Sequence, residues 1–227
     1  MKVNCCVVIP CYNTEKTIGT LIEKIRKVAG EIPIFVIDDG STDDSGKIAK
    51  KFDGVSVIFN GINKGKGFSL RKGLMLAQKA RYDYALVIDS DLQHPPECLP
   101  DFILEMEKGF ELIIGKRDIS PKRMPLHRVL SNTITSFLIS LRTGRRIHDS
   151  QCGFRAYKLG RFKNRLYKEN GFQFETEYLL RNLGRKNFTI CEVPIPTLYF
   201  RDISSKISII GDTLRFIMLF FRSYLWV

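Results

Sequence analysis

Tyr84-Ala85-Leu86-Val87-Ile88-Asp89-Ser90-Asp91-Leu92-Gln93 is the stretch that decides the fold. Tyr84 to Ile88 is a continuous apolar run, which a strand needs when helices cover both faces of its sheet. The run stops abruptly on two acids, and in an open α/β sheet ligands bind just beyond the carboxyl ends of the strands. Working outward, short β-rich runs at Cys5–Ile9, Ile34–Ile37, Val55–Phe59 and Leu112–Ile114 alternate with helical patterns. These patterns cover Glu15–Ala29, Asp43–Phe52, Gly67–Lys79 and Glu97–Lys108, and the alternation predicts an α/β fold with a mostly parallel sheet flanked by helices. Polar residues follow three of the strands: Pro10-Cys11-Tyr12-Asn13, Asp38-Asp39-Gly40-Ser41 and Asp89-Ser90-Asp91.

Beyond Gly115 the pattern changes. A basic stretch, Lys116 to Arg128, leads into a helix-period segment with Leu126, Val129, Leu130, Thr133, Ile134, Phe137, Leu138 and Leu141 on one side. Arg128, Ser131, Asn132 and Thr135 fall on the other. A helix around Phe174–Leu183 and a strand at Phe188–Val193 follow. No repeat or linker interrupts the chain, so it reads as one domain over 1–227, in which 124–142 and 205–227 are amphipathic helices.

The 227 residues are 44% hydrophobic, enough for one substantial core. With 36 Lys and Arg against 24 Asp and Glu, the net charge of +12 favours an anionic partner. A basic nucleic-acid-binding protein is one reading of that charge, but no zinc pattern or RNP-type aromatic motif accompanies it, and no nucleic acid is expected. The six cysteines are scattered and form no CxxC pair, so reduced, mostly buried thiols are expected, Cys5 and Cys6 in the core. The amino terminus carries no signal-peptide pattern. Asp212, Arg215 and Arg222 interrupt the apolar carboxy-terminal segment, which is read as lying on a membrane rather than crossing it.

Asp89 and Asp91 stand two apart after a strand, a spacing that turns both carboxylates to one side. Together they suit Mg²⁺ or Mn²⁺, whose remaining ligands are phosphate oxygens and water. The alternative is a solvated turn with Asp91 capping the next helix. Asp38-Asp39-Gly40-Ser41 reads either as a turn before a helix or as acids bonded to a nucleoside. Asn63-Lys64-Gly65-Lys66-Gly67 opens a helix and suits an anion or a plain turn; it is neither the GxxxxGK[ST] loop nor the dinucleotide fingerprint.

In order and spacing, Pro10-x-Tyr12-Asn13, Asp38-Asp39-Gly40-Ser41, Gly65-Lys66-Gly67, Asp89-Ser90-Asp91-Leu92-Gln93-His94-Pro95-Pro96-Glu97 and Gly115-Lys116-Arg117 resemble the family 2 glycosyltransferases, which have the Rossmann-like GT-A fold. Most similar are the polyprenyl-phosphate hexose transferases, the group that contains dolichyl-phosphate mannose synthase. The resemblance continues through Asp149-Ser150-Gln151-Cys152-Gly153-Phe154-Arg155, Glu175-Thr176-Glu177 and Val193-Pro194-Ile195. It implies that Pro10, Tyr12 and Asp38 line the nucleotide pocket, with Asp39, Lys66 and Ser90 also on the donor. It places the metal and diphosphate at Asp89, Asp91 and Gln93, and the lipid phosphate at Arg117 and Arg128 with Ser131 nearby. Asp149 is implied as a base or as an orienter of Arg117 and Arg128; pairing with Arg145 or Arg146 is the structural alternative. Arg201 and Lys206 resemble a basic pair closing over the donor, on an interval one residue short. Thr14 stands where the synthases commonly carry a nucleotide-contacting Glu. The implied activity is inverting, metal-dependent hexose transfer from a nucleotide sugar, GDP-mannose favoured, to a polyprenyl phosphate at the cytoplasmic face of a membrane. The alternatives are a UDP-sugar donor and a saccharide-hydroxyl acceptor.

Overall fold

A computed structural model describes residues 3–198 and 209–226, the side chains of 209 and 210 excepted. Arg201 and Lys206 lie outside the described residues. Seven strands form one sheet: β1 (Cys5–Cys11), β2 (Ile34–Asp38), β3 (Val55–Phe59), β4 (Tyr84–Val87), β5 (Leu112–Lys116), β6 (Arg155–Lys158) and β7 (Ile190–Pro194). Their order is β3-β2-β1-β4-β6-β5-β7. The first four strands run parallel, as do β5 and β7, whereas β6 is antiparallel to both of its neighbours. The helices are α1 (Ile18–Ala29), α2 (Ser45–Ala49), α3 (Lys66–Lys79), α4 (Leu99–Glu107), α5 (Leu126–Thr143), α6 (Gln173–Asn182) and α7 (Ile209–Arg222).

All four residues of β4 are buried, as their unbroken apolar character requires. Strand β6 was not anticipated from the sequence: Arg155-Ala156-Tyr157-Lys158 carries charge at both ends and is short. Its arginine is nevertheless fully buried, donating to the carbonyls of Ser150, Cys152 and Glu175. The helix expected over Asp43–Phe52 contracts to α2, and the strand expected at Phe188–Val193 shifts to β7. All six cysteines are free thiols; Cys6 is buried in the core and Cys5 half-buried. Burial pushes the Cys6 thiol well up.

Pro10 belongs to β1, opposite Ile37, rather than to the loop after it. The Val7 N–H points to β2 through Pro33 O, so the alternate nitrogen at Pro10 faces β4. Pairing between β1 and β4 ends at Val8 and Val87, so the missing N–H costs no ladder bond. Here the sheet opens between β1 and β4, the point where strand order reverses and a crevice forms.

Helix α5 forms with the predicted amphipathic pattern, but its orientation is the reverse of an ordinary packed helix. Asn132 and Ser136 are buried with Ile139. Leu126, Leu130, Ile134, Phe137 and Leu141 face outward, between 48% and 71% exposed. Helix α7 packs Leu219 and Phe220 inward and leaves Leu214, Ile217, Met218 and Phe221 exposed. No helix among the described residues is long and apolar enough to cross a membrane.

Candidate active site

The crevice is floored by the turn that follows β4. Ile88 N–H still reaches Val8 O, and the next amide, Asp89 N–H, donates to His94 Nδ1 at 3.3 Å. Leu92 adopts φ +63°, a left-handed conformation uncommon outside glycine, which folds the turn back so that Gln93 N–H reaches Asp91 Oδ1 at 3.0 Å. Thr17 Oγ1 donates to Ser90 O at 2.6 Å and ties the turn to α1. His94 is buried and stacked on Phe154, which is itself stacked on Phe102. Burial pushes the imidazole down to about 4, so it stays neutral and its Nδ1 serves as an acceptor.

The charges around this turn are unevenly balanced. Lys66 Nζ lies 2.8 Å from Asp89 Oδ1, 2.9 Å from Asp89 Oδ2 and 3.4 Å from Glu175 Oε1. Burial alone would raise the Asp89 carboxyl, but Lys66 first, together with His94 and Arg117, outweighs it and holds the group below its ordinary value. Asp91 moves the other way, raised first by burial and then by repulsion from Asp89. A divalent cation between them would relieve that repulsion, so the acid pair fits Mg²⁺ or Mn²⁺. Among the described residues no group of three His, Cys, Asp or Glu side chains gathers for a metal, so water and donor oxygens would complete the shell. Gly153 leaves the room: a Cβ there would lie 2.6 Å from Asp89 Oδ2.

The two acids after β2 differ in what they hold. Asp39 accepts from Asn60 Nδ2, Lys64 N and Gly65 N at 2.8–3.1 Å, which fixes the turn before α3. Gly65 in that turn has φ +96°, and a Cβ would lie 2.4 Å from Asn170 O. Asp38 Oδ1 accepts Ser41 N–H at 2.7 Å. Tyr12, half-buried, follows β1 directly. Thr14 Oγ1 lies 3.2 Å from Cys11 Sγ and its N–H donates to Ser45 Oγ.

On the far side of the crevice, β5 delivers Arg117. Its guanidinium grips Asp149 with two bonds, Nε to Oδ2 at 2.7 Å and Nη2 to Oδ1 at 2.9 Å, and its backbone N–H adds a third at 3.2 Å. Asn132 Nδ2, from the inward face of α5, donates to Asp149 Oδ1 at 2.6 Å. Arg117 first and Asn132 after it overcome the effect of burial and hold the Asp149 carboxyl below its ordinary value. Arg145 instead donates to Phe188 O, so the alternative pairing of Asp149 with it does not occur. The charge of Arg117 also acts on Asp89. Ser131 is exposed beside Gln151, and Arg128 is half-buried in the first turn of α5.

Thus Lys66, Asp89, Asp91 and Arg117 share one electrostatic environment, while Asp39 serves the loop scaffold. No spacing or local pattern in the sequence points to a role for His94, Gly153, Glu175 or Asn132. The first three lie inside the strings that carry the family resemblance, and that membership was the available signal.

The family described as Glycosyl transferase family 2 matches residues 6–203. A UDP-N-acetylglucosamine–dolichyl-phosphate N-acetylglucosaminyltransferase of Methanococcus voltae is 30% identical over 85% of this chain and 85% of the relative. Polyprenol monophosphomannose synthase of Mycolicibacterium smegmatis is 28% identical over 92% of this chain and 82% of the relative. Among solved structures, glucosyl-3-phosphoglycerate synthase of Mycobacterium tuberculosis with Mn²⁺ and UDP-glucose has a TM-score of 0.72 at 22% identity, covering 95% of this chain and 77% of that one. That likeness concerns the fold, and the α/β GT-A arrangement implied by the resemblance is the one observed.

Proposed function

The chain belongs to glycosyl transferase family 2 and is a glycosyltransferase, and from that premise we propose that it moves a hexose from a nucleotide sugar to a polyprenyl phosphate at a membrane surface, inverting the anomeric carbon. The observation that carries this reading is the orientation of α5. Its polar face holds Asp149, and through it Arg117, while its apolar face is turned out of the protein. A phosphate-binding arginine beside an outward apolar stripe suits an acceptor with an anionic head and a hydrocarbon tail. A cavity of about 620 Å³ lined by Arg117, Lys116, Arg146, His148 and Phe137 joins the two.

A lipid phosphate is an anion at neutral pH and attacks without a general base. Its oxygen bonds to the anomeric carbon as the opposite bond, to the nucleoside diphosphate, breaks. A divalent cation held by Asp89 and Asp91, with Gln93 beside the diphosphate, would neutralise the charge gathering on the leaving group. Arg117 and Arg128 would hold the acceptor, with Ser131 at the rim. Asp149, with donors on both oxygens, orients Arg117 rather than taking a proton. Tyr12, Asp38 and the crevice at Pro10 would receive the nucleoside, and Arg201 and Lys206 would close on the donor. The exposed apolar sides of α5 and α7 would rest in the interface, and the +12 charge suits the anionic cytoplasmic leaflet.

GDP-mannose is the favoured donor, in line with the mannose synthases. A UDP-sugar is the second reading, supported by Thr14, whose side chain is turned to Cys11, and by the UDP-sugar relative from Methanococcus voltae. The test is thermal stabilisation by GDP, UDP and their sugars with Mn²⁺ or with EDTA, followed by transfer to polyprenyl phosphate in vesicles. Stabilisation by one nucleotide only with Mn²⁺ is expected; none with any of them overturns the proposal.

A further inference from the structure

Lys66 is the first residue of α3, where a positive charge opposes the helix dipole. Its side chain is only 16% exposed, with the Phe172 ring 5.6 Å from Nζ. Two carboxylates compensate it: both oxygens of Asp89 within 2.9 Å, and Glu175 Oε1 at 3.4 Å. The ammonium therefore lies against the acid that the proposed metal site also needs. The two cations cannot both take Asp89 at this distance, because like charges a few ångströms apart repel strongly in a partly buried site. Lysine differs from arginine here in having a point charge on a flexible four-carbon stem. Glu175, whose Oε1 already lies 3.4 Å from Nζ, gives that stem a second seat.

We propose that Lys66 is a resident counter-ion of Asp89 that gives way to the divalent cation by swinging onto Glu175. Asp89 is then neutralised at every stage of donor loading, first by an ammonium and then by the metal, and the acid pair never faces itself uncompensated. Lys66 is in this sense a positioning residue and Glu175 its acceptor seat. The inference rests on the assignment of Asp89 and Asp91 to the metal.

The test is Mn²⁺ binding without nucleotide, read from the electron-paramagnetic-resonance signal of free Mn²⁺, on the full chain. Removing the competitor in Lys66→Met is expected to tighten Mn²⁺ binding by about tenfold. Removing the seat in Glu175→Gln is expected to weaken it several-fold, and to weaken it less when Lys66→Met is already present. Weaker or unchanged binding in Lys66→Met overturns the proposal. An equal effect of Glu175→Gln in both backgrounds also overturns it, since Glu175 would then act on the metal directly. Should Lys66→Met fail to fold, Lys66→Gln replaces it in both backgrounds with the same expectations. Wild-type protein that takes up no Mn²⁺, with or without nucleotide, would instead overturn the metal site itself.

Discussion

Helices α1 and α5 carry the same kind of amphipathic pattern and use it in opposite ways. In α1 the apolar positions Ile18, Leu21, Ile22 and Ile25 are fully buried in the hydrophobic core, where the helix packs on α2 and α4. In α5 the apolar positions Leu126, Leu130, Ile134, Phe137 and Leu141 face out while Ile139 turns inward, and the helix is held to Ser150 and Asp149 through Asn132 and Ser136 by a buried chain of hydrogen bonds at 2.6–3.0 Å. One helix is anchored by the hydrophobic effect and the other by polar satisfaction. A helix fixed by its polar side leaves its apolar side free for something else.

The sharpest way to break this contrast is Asp149→Asn, which takes the charge from the end of the α5 network. Breaking a buried pair while leaving Arg117 in place costs about 3–5 kcal/mol, to be read from denaturant unfolding. The same variant has a pH signature. The Asp149 carboxyl is held below its ordinary value of 3.8, so its contribution is complete above that pH and disappears as the pH falls through the lower folded value. The wild-type protein should lose stability in that acid window, and Asp149→Asn should lack this component.

Next in size is Ile22→Ala on α1, expected to cost about 2–5 kcal/mol as a core cavity and to leave vesicle binding alone. Asn132→Ala, on the inward side of α5, should cost about 1–3 kcal/mol and also loosen Arg117. An effect on stability without any on acceptor KM would separate α5 from the site. The smallest stability change belongs to Phe137→Ser combined with Leu141→Ser, about 0.5 kcal/mol or less by thermal melting. That double variant should nonetheless lose sedimentation with anionic vesicles, and retention of full vesicle binding would break the comparison.

The contrast also shows what the chain made legible. Periodicity locates α1 and α5 equally well, because it reports that two faces differ and not which face meets the protein. Polar partners decide that, and Asn132 and Ser136 find theirs only when Asp149 and Ser150, just before β6, are brought back to the helix. The parallel strands could be read because both faces of each are apolar. Strand β6 could not, since its buried Arg155 is satisfied by carbonyls at 150, 152 and 175 that no local pattern reveals. Similarly, Asp89 and Asp91 were visible as a pair at a strand end, whereas the Lys66 and Glu175 contacts depend on residues 23 and 109 positions apart.

The segment from Asp149 to Gly153 has a consequence of its own. Its first residue clamps Arg117, and its last lies against Asp89 closely enough to exclude a side chain. Five residues thus join the two halves of the crevice and, on the proposed assignment of donor to Asp89 and acceptor to Arg117, act as a ruler that sets the spacing between leaving group and acceptor by a fixed length of backbone. One inserted residue would add about 3.8 Å of chain. Donor and acceptor would still each find a place to bind, but they would no longer be held at reacting distance.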